Sequence, residues 1–144
     1  MADRQDDGAA CLVAAPVKVG AERELLQAIP AWGPVRLEIQ SPAGLAAEWR
    51  LDRLAFSRDA DRGEGGRDGW LTLATPGSRL RIDPARIARA WFLREGEQRR
   101  EVHFLDAADE AILTLALDAG ERGLDPLAEE AFFQAWRTLT VPAT

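Results

Sequence analysis

The chain has 144 residues, 47% hydrophobic and 29% charged, which suits one soluble globular domain with a single core. A net charge of −6 argues against a general nucleic-acid-binding role, because that task needs a basic face to displace counterions from phosphates. No apolar run approaches the roughly 18 residues of a membrane helix, no signal peptide is read at the N-terminus, and the single Cys11 cannot close an internal disulfide, so a cytoplasmic protein is expected.

Met1 to Gly8 is polar and acidic and reads as a disordered tail, leaving residues 9–144 as one domain. Glu22 to Ile29 reads as a short helix with Leu25, Leu26 and Ile29 on one face and Pro30 as its stop. Val35, Leu37 and Ile39 alternate with Arg36, Glu38 and Gln40, the period-two mark of a half-buried strand. After the turn at Ser41-Pro42-Ala43-Gly44, Leu45 to Ser57 suggests two short strands meeting near Asp52-Arg53. Ser57 to Gly69 holds four glycines and no apolar residue larger than alanine, so it reads as a mobile loop. It lacks the Lys-Ser/Thr that would mark a phosphate cradle.

Trp70 to Ala74 opens the next strand, Thr75-Pro76-Gly77 turns the chain, and Ser78 to Asp83 comes next with Leu80 and Ile82 opposite Arg79 and Arg81. Ile87 to Arg94 is a strand rich in Ile, Trp, Phe and Leu, and Glu95 to Gln98 is a hairpin loop. Glu101 to Leu105 returns with Val102 and Phe104 opposite Glu101 and His103. Asp109 can take the left-handed backbone of the next turn, and Ala111, Leu113, Leu115 and Leu117 then alternate with Ile112, Thr114 and Ala116. Asp125 caps a last helix with Pro126 at its first position and Ala128, Phe132, Trp136 and Leu139 as its buried stripe. Runs of strands with helices at the two ends give an α+β fold built on a large antiparallel β-sheet.

No HExxH, CxxC, GxSxG, Walker or GxGxxG pattern is present, and one histidine with one cysteine rules out an ordinary internal zinc site. Lys18 is the only lysine and the other 17 basic residues are arginines, which reflects either genome composition or a use for the planar guanidinium fork on carboxylates and phosphates. The five tryptophans serve as core or pocket walls. His103 reads as a half-exposed strand residue or as an imidazole ligand to haem iron or a metal. Arg79 and Arg81 read as a solvated edge or as a fork pair for a dianionic ligand such as the two propionates of haem.

The segments Trp70 to Pro76, Ser78 to Ile82, Ile87-Ala88-Arg89-Ala90-Trp91-Phe92-Leu93-Arg94 and Val102 to Asp109 resemble the haemin-degrading and haem-utilisation family (HemS/ChuX-like). Upstream, Glu24 to Val35 is similar to that family's Leu-Leu-x-Ala-Leu-Pro-x-Leu-Gly-x-Val. The resemblance spans about Glu22 to Trp136 and implies a large antiparallel sheet with flanking helices, cytosolic handling of haem, and homodimers among short members. It implies haem or a related tetrapyrrole as cofactor and partner, with Arg79 and Arg81 meeting propionates and Trp70 and Trp91 lining its faces. His103 is the candidate metal ligand read from the residues, not a role the resemblance implies; ligation would come from His103, from Cys11 or Met1, or across a dimer, or not occur. The family's usual ligand histidine falls in the loop Ser57 to Gly69, which has none, and a second family histidine corresponds to Arg81.

Overall fold

A computed structural model describes residues 11–41, 44–52, 55–58 and 71–141. Nine strands among these residues form two antiparallel sheets. The larger takes β1 (Leu12–Pro16), β2 (Val35–Gln40), β3 (Ala46–Leu51), β7 (Arg89–Glu95), β8 (Arg99–Leu105) and β9 (Ala111–Leu117) in the order β1-β7-β8-β9-β2-β3. The smaller is β4-β5-β6, from Ala55–Arg58, Leu71–Thr75 and Ser78–Ile82. Helix α1 (Glu22–Ala28), a 3-10 turn (Ile29–Trp32) and helix α2 (Pro126–Leu139) complete the core. The α+β fold expected from the pattern is the fold observed.

Period-two alternation builds the large sheet. Val35 and Leu37 of β2, Ala90 and Phe92 of β7, Val102 and Phe104 of β8, and Leu113, Leu115 and Leu117 of β9 are buried on one face. The helices close that face: Leu25, Leu26, Ile29, Trp32, Phe132 and Leu139 are all buried against it. Trp32 and Phe92 each meet Phe132 edge-on, with ring centroids 5.1 and 5.4 Å apart, and lie tilted to one another at 6.4 Å. Among the described residues the opposite face carries no helix.

Helix α2 starts as its sequence dictates, with the Asp125 carboxylate accepting from the Leu127 amide at 3.1 Å and Pro126 filling the first turn. Its buried residues are Ala128, Phe132, Ala135 and Leu139, while Trp136 is half-buried at the edge of the aromatic cluster. From β8, Arg100 is buried on the core side and meets Glu129 of α2 at 2.7 Å, so one ion pair ties sheet to helix.

Several boundaries differ from expectation. Leu12–Pro16 is a strand that the short apolar run did not announce; it pairs with β7 and gains its stability from that partner. The two strands read in Leu45 to Ser57 exist but belong to different sheets, β3 to the larger and β4 to the smaller. Strand β4 runs on to Arg58, one residue past the expected start of the loop, and residues 59–70, Trp70 among them, lie outside the described residues, as does the expected tail. Strict alternation in β9 fails at its start, because a bulge shifts register between Phe104 and Leu105. No helix among the described residues is long and apolar enough to cross a membrane.

Candidate functional site

The small sheet and the core face of the large sheet enclose a cleft. Two adjoining hollows of about 180 and 330 Å³ share Ile39 and Leu80. The first is lined by Leu37 and Ile39 of β2, Trp49 and Leu51 of β3, Leu73 and Thr75 of β5, and Ser78 to Leu80 of β6. The second runs from Leu80, Arg81 and Ile82 past Asp83, Arg86 and Ile87 to Phe104, Ile112 and Leu113. The register of β5 on β6 places Leu80 beside Leu73 on the face that floors the cleft, and Arg79 beside Ala74 and Arg81 beside Thr72 on the alternate face of the edge strand, so the arginines meet the cleft only at its border. Arg79, Arg81 and Arg86 are all exposed. Neither Arg79 nor Arg86 has a carboxylate partner among the described residues, whereas Asp83 caps the adjacent 3-10 turn by accepting from the Ala85 amide at 3.0 Å. The β9 bulge brings Ile112 into this lining next to Leu113 and leaves Ala111 on the sheet's other face. An apolar floor with guanidinium forks at its border can hold a flat apolar body that ends in carboxylates.

The uncovered face of the large sheet is chemically different. Trp91 and His103 are cross-strand partners, as are Leu93 and Glu101. His103 Nε2 lies 2.8 Å from Glu101 Oε1, and Arg99 donates to Glu101 at 2.9 Å and to Glu95 at 2.5 Å. Burial alone would raise the Glu101 carboxyl, but hydrogen bonds from His103 and Arg99 outweigh it and hold it at about 2. The bonds that Arg99 donates to Glu101 and Glu95 raise its guanidinium above its ordinary value. Further along, Asp118 is clamped by Arg36 and Arg50, and Arg50 also pairs with Asp52. A shallow depression of about 240 Å³ lies among Arg36, Glu38, Glu48, Arg99, Glu101 and His103. Apart from Glu38, these charges are engaged with one another or with Asp118 and Glu95.

The candidate residues therefore divide. Arg79 and Arg81 border the cleft, while His103 and Trp91 stand on the opposite face of the large sheet, since Val102 and Phe104 on either side of His103 point inward. Trp49 and Arg86 join the cleft without having been singled out. Trp49 had a signal, since Ala47, Trp49 and Leu51 alternate with Glu48, Arg50 and Asp52; the structure leaves the residue 46% exposed. Arg86 had none, because only the 3-10 turn Pro84–Arg86 carries it to the border. The cleft lining suits the body and the propionates of haem. Among the described residues that lining includes no histidine, cysteine, methionine or tyrosine, so it does not fit the iron. No group of three or more candidate metal ligands occurs among the described residues.

No family model and no curated protein matches the chain in sequence. Solved structures match its fold. A protein from Erwinia carotovora superposes with a TM-score of 0.70 at 16% identity, over 88% of this chain and 76% of that one. The heme-binding protein ChuX superposes with a TM-score of 0.67 at 14% identity, over 88% of this chain and 76% of ChuX. PhuS, a heme-binding protein from Pseudomonas aeruginosa, gives 0.63 at 16% identity, over 83% of this chain but 33% of PhuS. The chain has the HemS/ChuX-like fold that its sequence resembles.

Proposed function

Proceeding from that fold, we propose that the protein binds haem or a related tetrapyrrole in the cleft between its two sheets, as a cytoplasmic carrier that works as a homodimer. The observation that carries this reading is the lining of the cleft. Ile39, Leu51, Leu80, Ile82 and Ile112 are partly exposed and offer an apolar surface to a macrocycle, over a buried layer of Leu37, Leu73 and Phe104, and Arg79, Arg81 and Arg86 border it where carboxylates would lie. Residues two apart on a strand are separated by about 7 Å, so Arg79 and Arg81 can each take one carboxylate of a dianion. Trp49 supplies an indole wall, and Trp70, next to Leu71 in sequence, is the other candidate. Apolar burial at roughly 25 cal/mol per Å² supplies most of the affinity, with the charged contacts fixing orientation. The structural neighbours ChuX and PhuS are described as heme-binding, which supports the ligand class. The uncovered sheet face with Trp91 and Leu93 is the surface we assign to a second copy.

The test is a haem titration of the full chain, monitored by quenching of tryptophan emission. Saturable binding is expected, and the Arg79→Ala/Arg81→Ala variant should weaken it about tenfold or more, since a charge-assisted contact contributes about 1.5–3 kcal/mol. A flat titration would rule this reading out. Should light scattering still give a dimer, the second reading would stand: a dimeric module that kept the fold and lost the ligand. The absence of an iron donor from the described cleft lining favours that alternative.

A further inference from the structure

We infer that the cleft recognises its tetrapyrrole without ligating a metal, so that a metal-free porphyrin dicarboxylate binds as well as haem. The inference rests on the cleft reading above and names the ligand class more closely.

The chain has one histidine, one cysteine, one methionine and no tyrosine, so each strong side-chain donor to haem iron can be followed individually. His103 projects from the face of β8 opposite the cleft, and its Nε2 is already engaged by Glu101 at 2.8 Å. To reach the cleft, the imidazole would have to cross the sheet, which a strand flanked by buried Val102 and Phe104 forbids. Cys11 is exposed, just before Leu12, which pairs with Glu95 at the far end of β7. The cleft meets the opposite end of β7, near Ile87, so about 20 Å of strand intervenes. Residues 59–70 include no histidine, cysteine, methionine or tyrosine. Met1 is the one such donor outside the described residues, and a thioether on the iron would show in the absorption spectrum.

What the cleft does offer is indifferent to a metal. Leucine, isoleucine and Trp49 side chains contact a macrocycle face in the same way whether or not its centre is filled. The arginines meet the carboxylates at the periphery, away from that centre. Among the oxygen atoms lining it, Asp83 Oδ1 accepts from the Ala85 amide.

The experiment titrates the wild-type chain in parallel with protoporphyrin IX and with haemin, and repeats both on His103→Ala and Arg79→Ala/Arg81→Ala. The expected result is that the two ligands bind within about threefold of one another. His103→Ala should change neither, and the arginine pair should weaken both by the same factor. Haemin binding tenfold or more tighter than the porphyrin would overturn the inference while leaving the cleft reading intact, and loss of that advantage in His103→Ala would identify the donor. A wild-type haemin spectrum with thioether ligation would overturn it too. Failure of both ligands to bind would overturn the cleft reading and this inference together.

Discussion

Glu101 shows how much one side chain can be asked to hold. Its carboxyl sits at about 2 against an ordinary 4.5, because the bonds from His103 and Arg99 overcome the opposing effect of burial. The folded chain therefore takes up this proton less readily than the unfolded chain. The stability it contributes is fully present above about pH 4.5 and drains away as pH falls towards 2. Glu101→Gln should flatten that acid limb: the loss of unfolding free energy between pH 7 and pH 3 should shrink by about 1–2 kcal/mol after solvent screening, read by urea denaturation at each pH. An unchanged limb would mean that other carboxylates govern it. Arg100 is the contrasting case, buried and bonded to Glu129, to the Gly96 carbonyl at 3.0 Å and to the Arg99 carbonyl at 2.9 Å. Arg100→Met should cost about 2–4 kcal/mol, and pairing it with Glu129→Leu should recover much of that, because the cost lies in stranding a desolvated partner.

At the scale of the element, the cap and the core stripe of α2 separate cleanly. Asp125→Ala removes one bond to the Leu127 amide and should lower stability by about 1 kcal/mol. Phe132→Ala opens a void between Trp32 and Phe92 and should cost about 3–5 kcal/mol, both read as shifts in denaturant midpoint. The cap, the stripe and most strands were legible because each rests on spacing alone: Asp125 before Pro126, Phe132 four residues after Ala128, Val102 and Phe104 against Glu101 and His103. The features that were not legible depend on partners far away in the chain. Leu12–Pro16 becomes a strand only because β7 offers it an edge. The β9 bulge was hidden for a different reason: the Asp106 to Glu110 turn was legible, with Asp109 at φ 65° as expected, but not the slip in register against β8 that accompanies it. The candidate site suffered in the same way. Arg79 and Arg81 could be seen to share a face, but nothing local shows that His103 lies on the other side of a different sheet.

For the whole molecule, the large sheet acts as a partition. One side carries the helices, the small sheet and the apolar cleft; the other carries an engaged set of charges beside Trp91. A second copy laid on the charged side would leave the cleft open to its ligand, so binding and assembly should be separable. Light scattering is expected to give a dimer whose mass does not change when Arg79→Ala/Arg81→Ala weakens the ligand; a monomer would count against the assigned surface. The partition is only one residue thick, and β8 carries the consequence. Phe104 faces the cleft and His103 faces away, so a one-residue insertion before Val102 would exchange the two sides along the strand. The lineage that produced this chain would then be free to gain or lose residues in the turn at Gly96 to Gln98, and closed to such changes a few positions later. Length variation among its descendants should be written into the hairpins and absent from β8.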